Sequence, residues 1–318
     1  MYKPKTQGAV DDMEARGTGS RRLLGNALLV VTAMIWGMAF VAQRQGMDSI
    51  GPITFCAARM VLSAVAVGLV ALLTGRGKRL GGPAREDQRR NSLIGGLSAG
   101  TFLALATVMQ QAGLVTTTAG KAGFITAMYM LLVPVVNFLL FGKRNTWLVW
   151  LAVAVGVAGM YLLCVNEDFS LTRGDAMVCA CAVLFTGQIL CIDRFAPGAD
   201  PIRMSAIQFA TAAVICGAAA FLLEAPSWDE VASAAVPILY CGLMSGALGY
   251  TLQIIGQRYT DPTVASLLMS LESVFAAVGG ALLLGERMRP RELAGCAVLF
   301  AAIVLVQLPL PRPRRTAA

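Results

Sequence analysis

The sequence predicts an all-α integral membrane protein of ten transmembrane helices, arranged as two inverted five-helix repeats. Three observations lead there. Of the 318 residues 57% are hydrophobic and 14% charged, with a mean hydropathy of +0.68, whereas soluble domains hold about 45–50% apolar and 25% charged residues. The apolar residues gather in runs of about 20, enough to cross a hydrocarbon core of ~30 Å at ~1.5 Å per residue. Short motifs of the first half also return, in the same order, in the second.

The first 22 residues, MYKPKTQGAVDDMEARGTGSRR, have no apolar core behind a basic region. They read as a disordered cytoplasmic tail rather than a cleaved signal. Arg21 and Arg22 precede the first apolar run, 25–43, and Arg44 follows it. The second run, 53–74, stops at the basic stretch that begins with Arg76, and the third, 93–113, starts after Arg90. The fourth, 119–141, lies between the threonines at 116–118 and the pair Lys143-Arg144. Runs 147–165 and 175–193 follow, the latter between Arg173 and Arg194. Run 203–223 comes next, then 232–255 before Arg258, 262–284 before Arg287, and 291–308 before Arg312. Runs of this length are helices, which satisfy their own backbone groups in lipid, whereas a membrane barrel would show ~10-residue alternating segments.

The self-similarity is short but ordered. GLSAG at 96–100 returns as GLMSG at 242–246, and LFGKR at 140–144 as LLGER at 283–287. Phe185, Pro201 and Ile202 stand 149 positions after Trp36, Pro52 and Ile53. This divides the chain into a tail (1–22), a first repeat (23–168), a second repeat (169–310) and a basic cytoplasmic tail (311–318). Five spans per copy start the second copy on the opposite side of the membrane, so the copies are inverted, as in many secondary transporters.

The net charge of +8 marks orientation, not nucleic-acid binding. With the N-terminus inside, nineteen Lys and Arg fall on the inner side and six on the outer, with Arg59 left within a span. That bias puts both termini in the cytoplasm of a multi-pass plasma-membrane protein. The eight cysteines sit in or beside apolar runs and read as small packing residues. Histidine is absent, which removes the usual Ser/His and His-metal hydrolase designs. The near-match to a phosphate loop, Gly113 to Lys121, fails in spacing and in the following Ala122. No catalytic residue, metal site or cofactor is expected, and proton coupling stays open.

Charge inside a span costs ~2.5–3.5 kcal/mol or more at the bilayer centre, which singles out Glu272 and Arg59. Glu272 lies ten residues beyond Pro262, ~15 Å into the membrane and near its midplane. It reads as a proton site or an amine contact, with an ion pair or helix-to-helix hydrogen bond as the alternative. Arg59 lies ~9 Å from the outer side and either pairs with Glu272 or snorkels to the interface. Lys121 reads as a headgroup anchor, with attraction of anionic substrates the alternative. A metabolite pocket is mostly apolar with a few placed polar groups, so Trp36, Gln43, Tyr129, Gln188, Tyr250 and Gln253 complete the candidates. Pro134 is the hinge candidate, because proline inside a helix frees a carbonyl and kinks the chain. Trp147, Trp150 and Trp228 read as interface anchors.

The runs TTTAGKAGFITAMYMLLVPVVNFLLFGKR (116–144), AMIWGMAFVAQ (33–43) and SLLMSLESVFAAVGGALLLGER (266–287) resemble the EamA family of the drug/metabolite transporter superfamily. The resemblance covers about 25–308 and implies ten helices, two inverted repeats, a central substrate cavity and cytoplasmic termini. Two positions depart from the family pattern. Lys143 replaces an acid that often follows the glycine, and Ser273 replaces a frequent proline, which implies a straighter ninth helix. The expected function is secondary transport of a small organic metabolite, in the export direction. The alternative is a translocase of lipid-linked or amphiphilic substrates. The expected partners are the small-molecule substrate and the lipid bilayer, with no nucleic acid.

Overall fold

The computed structural model describes residues 5–74, 83–142, 146–164, 172–260 and 262–305, and among them every regular element is helical. Helices α1 (Lys5–Gly46), α2 (Pro52–Thr74) and α3 (Pro83–Leu114) are followed by α4 (Ala119–Thr126) and α5 (Tyr129–Phe141). After α6 (Trp147–Cys164) come α7 (Arg173–Phe195), α8 (Pro201–Leu223) and the short α9 (Trp228–Ser233). Then α10 (Ala235–Leu239), a wide i→i+5 segment (Tyr240–Tyr250) and α11 (Thr251–Gln257) form one rod, before α12 (Pro262–Leu283) and α13 (Pro290–Leu305). Proline is the first residue of α2, α3, α8, α12 and α13, where its missing N–H is no loss and its fixed φ suits a helix.

Seven of the described helical segments are long and apolar enough to cross a membrane: Arg21–Gly46, Pro52–Thr74, Glu86–Leu114, Ala119–Leu140, Arg173–Gly198, Pro201–Leu223 and Ala235–Gln257. Trp147–Leu163 and Leu268–Leu283 are shorter apolar helices. Their outward faces are apolar, as at Val214, Phe221 and Leu222, each more than 70% exposed, which suits lipid rather than water. Trp147, Trp150 and Trp228 are also exposed.

Three differences from the sequence reading stand out. Helix α1 begins at Lys5, so residues 5–22, expected to be disordered, are helical. Pro4 is the last proline before Pro52, so no proline interrupts this stretch. The fourth apolar run is broken at Ala127 and Met128, where one turn changes hydrogen-bond partners between α4 and α5. The expected single helix at 232–255 contains the wide segment. The ninth run, in contrast, is unbroken through Ser273, whose hydroxyl donates to the Ser270 carbonyl at 2.8 Å. Lys143 and the C-terminal tail lie outside the described residues.

Packing crosses between the two halves of the chain: α1 lies on α12, α2 on α8, α3 on α7 and α8, and α6 on α13. Small residues permit the close approach that association in lipid demands. A Cβ on Gly37 would collide with that of Phe275 and stand 2.7 Å from the carbonyl oxygen of Glu272. Gly37→Ala is therefore expected to cost about 1–3 kcal/mol by overpacking, read as a lower thermal unfolding midpoint of the purified protein. Gly142 and Gly285, the glycines of LFGKR and LLGER, both have positive φ, 63° and 65°, the left-handed helix stop that glycine adopts without strain.

Acids from the second half satisfy helix starts in the first. Glu224 accepts from the N–H of Ile53 (3.1 Å) and Thr54 (2.8 Å) at the start of α2. Glu286, of LLGER, accepts from Ala119 (2.8 Å) and Gly120 (3.1 Å) at the start of α4. Each carboxylate answers two orphan donors and the positive end of the helix dipole. From α4, Lys121 reaches Asp175 of α7 at 2.8 Å, and Thr117 donates to the same carboxylate. Asp175 is fully buried and Lys121 only 12% exposed. Lys121 is thus a buried ion-pair partner rather than a headgroup anchor, because α7 brings a carboxylate to it.

Candidate functional site

A cavity lies between α1, α2, α3, α4, α5, α7, the wide segment, α11 and α12, and all eight candidates, Trp36, Gln43, Arg59, Tyr129, Gln188, Tyr250, Gln253 and Glu272, line it. Pro134 does not; it sits half-buried inside α5, beyond the break at 127–128. Phe40, Met60, Phe185 and Ile189 supply apolar wall, and Thr107, Gln110, Thr126, Ser245 and Gly246 add polar lining. The sequence reading passed over these last groups. Thr107 and Gln110 carry the same signal as the chosen amides, a polar side chain deep in an apolar run. Ser245 stands in the same setting, within YCGLMSGALGY, whereas Gly246, with no side chain, gives no such signal.

The local irregularities place the key groups. Tyr129 is the first residue of α5, so the break that ends α4 turns its ring toward α12. There its hydroxyl donates to Oε1 of Glu272 at 2.9 Å. Both side chains are buried, with 3% exposure each. On the opposite side, the wide segment turns carbonyls outward to side chains of α1 and α2. Trp36 Nε1 donates to the Ser245 carbonyl at 3.1 Å, and Ser63 Oγ lies 2.7 Å from that of Gly242. Trp36 then packs on Tyr250 at 4.7 Å between ring centroids.

Arg59 is 4% exposed and does not snorkel. Its Nη1 donates to Gln43 Oε1 at 2.9 Å, its Nη2 approaches Cys56 Sγ at 3.7 Å, and the guanidinium stands 5.7 Å from the centre of the Phe55 ring. Gln43 is itself held, donating from Nε2 to the Ala39 carbonyl, while its own carbonyl accepts from Gln111. Ion pairs among the described residues join Arg44 to Asp48 and Lys121 to Asp175 and Glu292. Arg59 and Glu272 share the cavity without forming one. Three buried polar atoms on the lining have no protein partner: Arg59 Nε, Gln188 Nε2 and Gln253 Oε1.

The site is therefore a chamber among apolar helices with one guanidinium, one carboxyl group, several amides and an aromatic wall. The model of the EamA-like transporter family matches the chain twice, over residues 23–165 and 172–308. The chain belongs to that family. An uncharacterized transporter of Archaeoglobus fulgidus is 26% identical over 295 residues, covering 91% of this chain and 88% of its own. A probable terminal-alkyne amino-acid exporter of Streptantibioticus cattleyicolor is 25% identical over 87% of this chain and 91% of its own. A crystal structure 19% identical to this EamA-like chain superposes with a TM-score of 0.62, covering 90% of this chain and 96% of that one. This last likeness concerns the fold.

Proposed function

We propose that the protein is a secondary active exporter of a small organic metabolite, working by alternating access in the plasma membrane. The observation that carries the reading is the chamber, with an ionisable pair and unpaired amides enclosed among apolar helices. Its volume is about 40 Å³, small beside the ~300–1,000 Å³ of a typical small-molecule pocket. A metabolite enters only when the helices part, which is what alternating access supplies.

Ten helices in two inverted repeats is the architecture proposed with it. The family match in two consecutive copies supports it, as do the matched left-handed glycines of LFGKR and LLGER. Trp36 and Phe185, 149 positions apart in the self-comparison, both line the chamber. The relative named as an amino-acid exporter makes amino acids the first class to try. Comparing metabolites in cells with and without the protein, then measuring flux of the enriched compound in liposomes, tests the function. Equal pools, with no protein-dependent flux, would end it.

The charge bias proposes that both termini are cytoplasmic. In a cysteine-free background, Glu230→Cys between α8 and α10 is expected to react with an impermeant thiol reagent in intact cells, and Asp87→Cys at the start of α3 only after lysis. The reverse pattern would invert the topology.

A further inference from the structure

We infer that Arg59 is the receptor for a carboxylate group of the transported molecule. This rests on the transporter reading above and adds to it the chemistry of the cargo.

The argument begins from an imbalance in how the chain treats its buried cations. Lys121, the more exposed of the two, has Asp175 at 2.8 Å. Arg59, more buried, has no acid within 4.0 Å among the described residues; it is held by the neutral Gln43 and Cys56, and its Nε has no hydrogen-bond partner among them. A guanidinium carries five donors in a planar fork, and most of them are unused here. Taking such a charge out of water costs several kcal/mol unless an anion or hydrogen bonds offset it. The protein fixes the fork through Gln43, opens it to the chamber and supplies no counter-ion. A ligand anion completes it.

The shape and sign of the surroundings narrow that anion. Among the described residues Arg59 is the only Lys or Arg on the lining, and Glu272 shares the space, so a polyanion such as a phosphate ester meets too little positive charge. A single carboxylate matches the fork in plane and in charge, and Gln188 Nε2 is a further unused donor on the lining. Trp36, Phe185 and Tyr250 offer an apolar surface for the rest of the molecule. Free organic acids and zwitterionic amino acids share this carboxylate.

The experiment uses the purified full-length protein in detergent and four probes with the same branched alkyl body: L-leucine, 4-methylpentanoate, L-leucinamide and 3-methylbutylamine. Binding is read as a ligand-dependent rise in thermal unfolding midpoint. One or both carboxylates are expected to bind about tenfold or more tightly than the amide and amine, and which of them binds separates amino acid from organic acid. Arg59→Gln is expected to erase the preference, and Arg59→Lys to keep part of it. Should Arg59→Gln not fold, modification of wild-type Arg59 by phenylglyoxal, read by mass spectrometry, is expected to be slowed by the carboxylates and not by leucinamide. Equal binding of amide and carboxylate, a preference that survives Arg59→Gln, or no binding by any probe would overturn the inference. Arg59-dependent binding without flux in liposomes keeps the receptor and removes the transporter reading, whereas flux with no Arg59-dependent preference does the opposite.

Discussion

Glu272→Gln is expected to leave the protein folded and able to bind its substrate, yet to cut transport driven by a pH gradient about a hundredfold, the lower end of what a proton-transferring side chain contributes. The amide has the shape of the acid and still accepts the hydrogen bond from Tyr129, 2.9 Å away in the parent, but it cannot titrate. Among the described residues this carboxyl group, at 3% exposure, has one neutral donor, Tyr129, and no cation in ion-pair range. Proton exchange at this group, with whichever side the chamber faces, is the proposal that the substitution tests. Tyr129→Phe removes the donor and should alter the pH profile while leaving coupling intact. Liposome flux under an imposed pH gradient is the measurement. Parental rates for Glu272→Gln would show the residue to be a packing element.

Asp175→Ala should produce the largest loss of stability, about 3–5 kcal/mol, because it leaves the mostly buried Lys121 ammonium with only the weaker Glu292 contact at 4.0 Å. The expected reading is a fall of roughly 5–10 °C in the unfolding midpoint of the purified protein. The double substitution Lys121→Met with Asp175→Leu removes both charges and should recover most of that loss, since an apolar pair of similar volume replaces an ion pair at little cost. A double variant as unstable as Asp175→Ala would place the effect in the bond from Thr117 instead of in the charge.

These residues also mark how far the sequence could be read. The lining candidates were legible because a polar or ionisable group deep in an apolar run is costly without a partner or a cavity, and Gln43, Arg59, Gln188, Gln253 and Glu272 all line one cavity. Lys121 was misread because its partner Asp175 lies 54 positions away in the sequence, and nothing local announces the meeting of α4 and α7. The break at Ala127 and Met128 contains neither proline nor glycine. Pro134, the hinge candidate, lies in the same run, inside the helix that follows the break. YCGLMSGALGY, which forms the wide segment, reads as an ordinary apolar helix. Its carbonyls bond to Trp36 and, near Gly242, to Ser63 on other helices, so part of what holds its geometry is written elsewhere in the chain.

That wide segment makes chain length, and not only residue identity, a determinant of the chamber. An i→i+5 turn encloses one residue more than an α turn, so residues 240–250 hold slack that a deletion could take up. Removing one residue there would let the rod tighten without breaking. The helix beyond it would keep its phase, so Gln253 would stay on the lining, while the outward carbonyls that bond to Trp36 and Ser63 would lose their place. Deletion of a single codon in this stretch is therefore a route by which a related transporter could reshape one wall of the chamber while the side chains on either side of it stay where they are.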